Sequence, residues 1–242
     1  MMSKENNYRL LSLDMDGTLL DSEVIHYIVI HEIIQRELGY DQSLEEYMGY
    51  CGVPDAEMWP AILMDTRGLA GAVTGADRIR ELSEELERLH WAEYDQYIEK
   101  NGVESFPGVR ELFEALKKEG LKIGIATGSL GRIVKKNLEM MGISQYVDAA
   151  ATSEDCENGK PAPDIFLLAA KLLGADPSEC LVVEDSGNGL LAAQRAGMSR
   201  VGFTGSRLPS DVKNAPVVFN DYREVTVEDF YRWHDSMILS LA

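Results

Sequence analysis

The stretch from Leu11 to Ser22, L-S-L-D-M-D-G-T-L-L-D-S, constrains the fold more than any other part of the chain. An apolar run from Tyr8 to Leu13 leads into Asp14 and Asp16, and Gly17 follows them. Such a run is typical of a buried parallel strand, and open α/β sheets bind ligands just beyond the carboxyl ends of their strands. Because side chains alternate along a strand, we expect Asp14 and Asp16 on the same side, within reach of one ligand.

These two carboxylates would repel each other if they lay close together. Two like charges about 4 Å apart repel by roughly 4 kcal/mol at an effective dielectric constant near 20, so a cation is expected beside them. Gly17 can adopt backbone angles that are closed to other residues, which lets the chain turn sharply out of the strand. For a lone D-x-D-G, an ordinary acidic turn is the alternative, because Asp and Gly are common turn residues.

The rest of the chain divides into a helical block and a block in which strands and helices alternate. Between Ser22 and Asn101 apolar residues recur at threes and fours, which predicts helices and no strand. The alternating block requires a parallel sheet covered on both faces. We therefore predict a doubly wound, mainly parallel α/β core (1–20 and 103–242) with an inserted α-helical subdomain (21–102). The predicted strands are Tyr8–Leu13, Leu121–Ala126, Tyr146–Ala151, Leu181–Val183, Ser199–Phe203 and Val217–Phe219.

The net charge of −18 over 242 residues argues against binding to nucleic acid or to an anionic membrane surface, since both favour Lys and Arg. No apolar run approaches the ~20 residues of a membrane-spanning helix, and the polar N-terminal segment does not resemble a signal peptide. The 3 cysteines, Cys51, Cys156 and Cys180, fit neither a disulfide framework nor a C-x-x-C pair. A cytoplasmic protein with reduced thiols, monomeric by default, is expected.

Polar residues also follow a second predicted strand. Leu121–Ala126 leads into Thr127, Gly128 and Ser129, whose hydroxyl groups and free backbone N–H groups suit a phosphate oxygen. A helix N-cap is the alternative interpretation, because Ser and Thr commonly supply one. Taken alone, the segment favours the cap over a phosphate site.

Two further segments place charges beside residues that constrain the backbone. Lys160 lies between a glycine and a proline, and its ammonium could offset both clustered carboxylates and a phosphoryl group, although a solvated lysine is the alternative. The apolar strand Leu181–Val183 ends in Glu184 and Asp185. Two buried carboxylates are costly unless they hold a cation, and carboxylate oxygens are the ligands that Mg²⁺ prefers.

Four motifs thus occur in order along the chain: D-x-D-G-T, T-G-S after a strand, G-K-P-x-P-D and E-D-S-x-x-G. Together they resemble motifs one to four of the haloacid dehalogenase-like (HAD) hydrolase superfamily. Val182–Met198, V-V-E-D-S-G-N-G-L-L-A-A-Q-R-A-G-M, is especially similar to the branch of beta-phosphoglucomutase and phosphoglycolate phosphatase. The resemblance implies a Rossmann-like core with a helical cap inserted after motif one, and the block at 21–102 matches that cap in size and position.

The resemblance also implies a role for the residues of each motif. Asp14 would be the nucleophile that forms an aspartyl-phosphate, and Asp16 would protonate the leaving oxygen and then activate water. Mg²⁺ would be held by Asp14, the backbone carbonyl of Asp16 and Asp185, with Glu184 close by. The phosphoryl oxygens would be bound by Thr127, Gly128 and Lys160. Further candidates, around the cluster or the substrate, are His26, Ser129, Asp164, Ser186 and Asn188.

The predicted function is therefore Mg²⁺-dependent hydrolysis of a small phosphate monoester, such as a sugar phosphate or a similar metabolite. A beta-phosphoglucomutase-type phosphotransferase is the first alternative, but it must hold a bisphosphate by both ends, and no Lys occurs between Lys4 and Lys100. A dehalogenase shares the Asp nucleophile but needs neither a metal nor a second aspartate, so the presence of Asp16, Glu184 and Asp185 disfavours that activity. A receiver-like signalling domain would carry its phosphorylated Asp near mid-chain, where Thr127 stands instead.

Overall fold

Among the residues that the computed structural model describes (10–50, 53, 55–65, 75–207 and 211–239), six strands form one sheet. Their order, β3-β2-β1-β4-β5-β6 in chain numbering, puts the first and fourth strands side by side at the centre. All neighbouring pairs are parallel, so the carboxyl ends lie along one edge. The predicted doubly wound, parallel α/β core is confirmed. The strands are β1 (Leu10–Leu13), β2 (Lys122–Ala126), β3 (Ala149–Ala151), β4 (Cys180–Glu184), β5 (Ser199–Phe203) and β6 (Val218–Phe219).

The described helices follow the predicted pattern closely. A π-helical turn, Ile34–Leu38, continues the first helix to Gly39, whose left-handed φ of 66° ends it. No helix within the described residues is long and apolar enough to cross a bilayer. The helices are α1 (Glu23–Ile33), α2 (Leu44–Met48), α3 (Asp55–Met64), α4 (Ala76–Asn101), α5 (Val109–Lys118), α6 (Gly131–Met140), α7 (Asp164–Leu173), α8 (Gly187–Arg195) and α9 (Val227–Leu239). Short 3-10 turns lie at Ser144–Tyr146, Ser153–Asp155, Pro177–Glu179 and Tyr222–Glu224.

The chain divides into two compact units. One comprises Met1–Asp21 and Val103–Ala242 and contains the sheet, and the other, the helical unit, is Ser22–Gly102. In the described part of the helical unit there are helices and turns but no strand, and α1 and α3 pack against the long helix α4. Large apolar side chains fill its interior, among them Ile30, Ile33, Trp59, Leu86 and Tyr94.

The centre of the sheet is covered on both faces. All residues of β4 are buried. Cys180 and Val182 pack in one apolar cluster with side chains of α7 and α8. Since side chains alternate along a strand, Leu181 and Val183 point to the opposite face, where α9 packs. Burial on both sides explains why this strand is a continuous apolar run in the sequence.

The third strand is shorter than predicted. The predicted strand Tyr146–Ala151 begins only at Ala149, because a 3-10 turn occupies Ser144–Tyr146. Just before Ala149, the Asp148 N–H still donates to the Ile123 carbonyl at 2.8 Å, but the Ile123 N–H donates to the Asp148 carboxylate at 2.8 Å. A side chain thus takes the place of a backbone acceptor at this point. At the other end of the sequence, the first residues of the predicted strand Tyr8–Leu13 precede the described part of the chain, which starts at Leu10.

The burial of β4 predicts a chemically inert thiol at Cys180. The side chain has no exposed surface, and burial, followed by the nearby charges of Glu179 and Asp176, raises the pKa of the thiol to about 12. Because only the thiolate reacts, we expect alkylation by iodoacetamide at about pH 8 to be roughly a thousandfold slower than in the unfolded chain. Peptide mass mapping with and without guanidinium chloride measures this ratio. Equal labelling in both states would contradict the burial of β4. Cys51 lies outside the described residues.

Candidate active site

Carboxylates from the two central strands meet at the carboxyl edge of the sheet. Asp14 directly follows β1, Glu184 ends β4, and Asp185 comes next. One oxygen from each of these three side chains lies within 4.8 Å of the others. The chain order reverses direction between β1 and β4, and ligands of open α/β sheets bind at such a switch point. We call Asp14, Glu184 and Asp185 the carboxylate cluster.

The turn after β1 brings the backbone against this cluster. The Asp14 N–H donates to the Val183 carbonyl at 3.1 Å, which continues the β1–β4 pairing up to the first aspartate. Gly17 has a φ of 73°, and a Cβ there would lie 2.1 Å from Asp185 Oδ2. Glycine is therefore required twice, for the backbone angle and for the close approach of the carboxylate. The Thr18 hydroxyl lies 3.4 Å from Asp185 Oδ1.

Lys160 joins two members of the cluster. Its Nζ lies 2.6 Å from Asp14 Oδ1 and 2.6 Å from Glu184 Oε1, and its side chain is only 13% exposed. The ammonium also lies 5.1 Å from the centroid of the Phe166 ring, within the range of a cation–π interaction. The predicted cation beside the acidic motif is thus supplied in part by the chain itself.

Burial and the neighbouring charges shift the pKa values of both Asp14 and Lys160. Burial raises the pKa of Asp14 to about 8, because the carboxylate loses its hydration; Lys160 acts in the opposite direction, and Glu184 and Asp16 add to the increase. Burial alone would lower the pKa of Lys160, but attraction to Asp14 and then Glu184 outweighs it, so that pKa is raised. Lys160 pairs with two of the three carboxylates, and acidic side chains whose oxygens lie within 4.8 Å of one another favour a further cation.

Both carboxylate oxygens of Glu184 accept hydrogen bonds. Oε1 accepts from Lys160, and Oε2 accepts from the Ser186 N–H at 2.8 Å and from its hydroxyl at 2.9 Å. Ser186 is also the N-cap of α8, because its hydroxyl oxygen accepts the Gly189 N–H at 3.1 Å. Glu184 therefore fixes Lys160 to the start of α8.

Asp16 points toward the segment after β2. Its Oδ2 accepts hydrogen bonds from the Thr127 hydroxyl at 3.2 Å and from the Ser129 hydroxyl. The Ser129 N–H donates to Thr127 Oγ1 at 3.2 Å, so the T-G-S segment forms a local turn. Gly128 between them is exposed, and a Cβ there would meet no atom within 4 Å. The structure thus joins the first two motifs through Asp16.

Of the remaining candidate residues, Asp164 and Asn188 lie at the starts of helices in the core, and His26 lies in the helical unit. Asp164 begins α7 and accepts a hydrogen bond from Asn158 Nδ2 at 3.1 Å, and Asn188 lies half-buried in the first turn of α8. His26 lies in the helical unit, only 8% exposed. Its Nδ1 is 2.9 Å from His90 Nε2, and its ring stacks on Tyr94 with centroids 4.5 Å apart.

Comparison with known proteins identifies the family of the chain. A model of the haloacid dehalogenase-like hydrolases matches residues 8–197. The chain belongs to this family. The resemblance inferred from the motifs is confirmed, and with it the prediction that the protein is a hydrolase.

Individual HAD-like relatives include phosphatases and a phosphomutase. Fructose-1-phosphate phosphatase YqaB of Escherichia coli K12 is 30% identical over 200 residues, covering 80% of this chain and 95% of the relative. Beta-phosphoglucomutase of Bacillus subtilis is 31% identical over 191 residues, covering 78% and 80%. The crystal structure of beta-phosphoglucomutase from Clostridium difficile has a TM-score of 0.78 at 25% identity and covers 96% of this chain and 99% of that chain.

Sequence reasoning on this HAD-like hydrolase missed the supporting residues of the site. Phe166 is an apolar residue at helical spacing in α7, and nothing local in the sequence indicates that its ring lies beside Lys160. The hydroxyl of Tyr222 donates to the Thr18 carbonyl at 2.9 Å across a separation of 204 positions. These contacts depend on the tertiary fold and leave no pattern in the sequence.

The close packing of α8 against Glu184 predicts the effect of Gly189→Ala. A Cβ at Gly189 would lie 1.7 Å from Glu184 Oε1, so the new methyl group must displace a buried carboxylate that holds Lys160 and Ser186. We expect a loss of about 1–3 kcal/mol in the free energy of unfolding, measured by urea denaturation.

Helix propensity alone would give the opposite sign, since Ala exceeds Gly by about 1 kcal/mol in a helix. The matched control is Gly128→Ala, where a Cβ meets no atom within 4 Å. Stabilisation by Gly189→Ala would contradict the described position of Glu184.

Proposed function

We propose that this protein is a Mg²⁺-dependent phosphatase that hydrolyses a small phosphate monoester, such as a sugar phosphate, through an aspartyl-phosphate on Asp14. The observation that carries the proposal is the carboxylate cluster with Lys160 bound between Asp14 and Glu184. A carboxylate nucleophile next to a fixed ammonium suits attack on a phosphate, because the ammonium offsets the charge of the incoming group. The phosphatases among its relatives support the substrate class.

The donor set of the cluster fits a hard divalent cation. Carboxylate oxygens are the ligands that Mg²⁺ prefers, and the cluster brings three of them within 4.8 Å of one another. Asp14 and Asp185 would hold the ion with the backbone carbonyl of Asp16, while Glu184, engaged by Lys160 and Ser186, would act beside them. When bound, Mg²⁺ would neutralise charge that develops on the transferring phosphoryl group.

In the proposed hydrolysis, Asp14 acts as the nucleophile and Asp16 as the general acid and base. A carboxylate oxygen of Asp14 attacks phosphorus, and the bond to the leaving oxygen breaks as Asp16 gives that oxygen a proton. Asp16 then takes a proton from water, the water oxygen attacks phosphorus, and inorganic phosphate leaves with Asp14 restored. Thr127, Gly128 and Lys160 bind the phosphoryl oxygens in this proposal. Ser129 would orient the carboxyl of Asp16, with which it shares a hydrogen bond.

We assign substrate choice to the helical part of the chain, as in the family branch that the motifs resemble. In this proposal residues 1–20 and 103–242 form the catalytic core and residues 21–102 the cap domain. His26 stays a candidate for a substrate-linked role, and its hydrogen bond to His90 would fix its orientation. A cytoplasmic location and a monomeric state stay predictions from the sequence.

A phosphotransferase of the beta-phosphoglucomutase type is the second candidate, favoured by the similarity to that enzyme. The charges of the helical unit support hydrolysis instead. Its described arginines contact groups of the same unit: Arg36 with Glu93, Arg78 with Glu81, Arg80 with Asp77, and Arg88 with the Glu84 carbonyl. A mutase needs cationic groups for the second phosphate of its bisphosphate, and the Arg36 guanidinium is already bound by Glu37 and Glu93. The pairs of Arg78 and Arg80 are exposed and weak.

Release of inorganic phosphate from a panel of phosphate monoesters tests the proposal. With Mg²⁺ we expect turnover of at least one sugar or polyol phosphate, loss of activity in excess EDTA, and recovery when Mg²⁺ is restored. Asp185→Asn should lower kcat at least about a hundredfold by removing a carboxylate ligand. Asp77→Asn is the matched control, since its carboxylate is 88% exposed in the helical unit.

Two results would count against this assignment. A full rate in excess EDTA would contradict metal dependence. Isomerised sugar phosphate without release of inorganic phosphate would favour the phosphotransferase.

A further inference from the structure

We propose that Tyr222 is a positioning residue for the metal-binding carboxylates, because its hydroxyl fixes the Gly17–Thr18 turn that contacts Asp185. The inference rests on the proposed Mg²⁺ site and adds a residue to it from outside the four motifs. Tyr222 also lies beyond residues 8–197, the part of the chain that the family model matches.

The contact between Tyr222 and the turn is buried. The Tyr222 hydroxyl donates to the Thr18 carbonyl oxygen at 2.9 Å. Tyr222 is 2% exposed and Thr18 has no exposed surface. A buried carbonyl oxygen without a donor is unfavourable, so this hydrogen bond strongly favours one position of the turn.

The Gly17–Thr18 turn contacts the carboxylate of Asp185. The Thr18 hydroxyl lies 3.4 Å from Asp185 Oδ1, a long hydrogen bond. Gly17 adds a tighter constraint, because a Cβ there would lie 2.1 Å from Asp185 Oδ2. A movement of the Gly17–Thr18 backbone toward Asp185 would therefore displace the carboxylate, and a movement away would break the contact with the Thr18 hydroxyl. The Gly17 N–H bond to the Leu20 carbonyl at 2.9 Å and the Phe106 N–H bond to the Leu19 carbonyl at 2.8 Å hold the rest of the turn.

The ring of Tyr222 is held independently of its hydroxyl. It packs against Phe203, with centroids 4.7 Å apart, and edge-on against Phe219 at 5.1 Å. The backbone of Gly108 lies so close that a Cβ there would come within 2.8 Å of the Tyr222 carbonyl carbon. Replacement by Phe keeps these contacts and removes only the hydrogen bond to Thr18. Tyr222→Phe therefore separates ring packing from positioning.

A merely structural hydroxyl and a positioning hydroxyl predict different results. Either role of the hydroxyl predicts a lower free energy of unfolding for Tyr222→Phe. Only the positioning role predicts weaker metal binding by protein that is still folded. Mutation of a residue that orients a metal ligand typically lowers metal affinity by about 10–100-fold. Because Tyr222 acts through Thr18, we expect Mg²⁺ affinity to fall about five- to tenfold.

Isothermal titration calorimetry with Mg²⁺, without substrate, measures this effect at a temperature where each variant is folded. The matched control is Tyr146→Phe, which removes a hydroxyl that donates to Glu114 at 2.7 Å in the same unit. We expect its Mg²⁺ affinity to stay within about twofold of the wild type. Thr18→Val removes the hydroxyl next to Asp185 and should weaken binding as Tyr222→Phe does.

Each outcome decides a separate point. Equal Mg²⁺ affinity in wild type and folded Tyr222→Phe overturns the positioning role. If Tyr222→Phe does not fold, unchanged affinity in Thr18→Val overturns it instead. A wild-type protein that binds no Mg²⁺ overturns the proposed metal site, which is the failure of the proposed function. Weakening in both variants, without further weakening when they are combined, supports the path from Tyr222 through Thr18 to Asp185.

Discussion

The ammonium of Lys160, 2.6 Å from both Asp14 and Glu184, is the interaction on which the candidate site depends. Buried carboxylates at adjacent strand ends repel each other and lose hydration, so they stay charged only beside a cation. Lys160 lies in the segment between β3 and α7, and its two ion pairs fix that segment to the ends of β1 and β4. Asp185 lies beside these two carboxylates, and one oxygen from each of the three lies within 4.8 Å of the others, the arrangement on which the proposed metal site rests.

Close approach of backbone to carboxylate is the second constraint. Gly17 leaves room for Asp185 and Gly189 leaves room for Glu184, because neither residue has a Cβ. Such packing is poor for local stability, since glycine weakens a helix, and deviations of this kind concentrate at functional sites. The hydroxyl of Tyr222 completes the arrangement by fixing the turn that carries Gly17.

The sequence predicts the strands and the motifs at their ends because both leave local patterns. Apolar runs followed by Asp14 or Glu184 mark buried parallel strands whose carboxyl ends share one edge, and the structure brings those ends together. The predicted start of β3 at Tyr146 is wrong. A 3-10 turn ends at Tyr146, and the Asp148 carboxylate takes the place of a backbone acceptor, and an apolar pattern reveals neither feature. The contacts of Asp16 with Ser129, and of Lys160 with Phe166, join distant segments and could be found only in the fold.

Trapping of a phosphoenzyme on Asp14 tests the central claim most directly. The protein is mixed with Mg²⁺ and p-nitrophenyl phosphate, quenched in acid during turnover, and digested for phosphopeptide mapping by mass spectrometry. The account predicts one acid-stable, hydroxylamine-sensitive phosphate on the peptide that contains Asp14, and none in Asp14→Asn, which should also lose turnover. Phosphate on another residue, or undiminished turnover by Asp14→Asn, would contradict it.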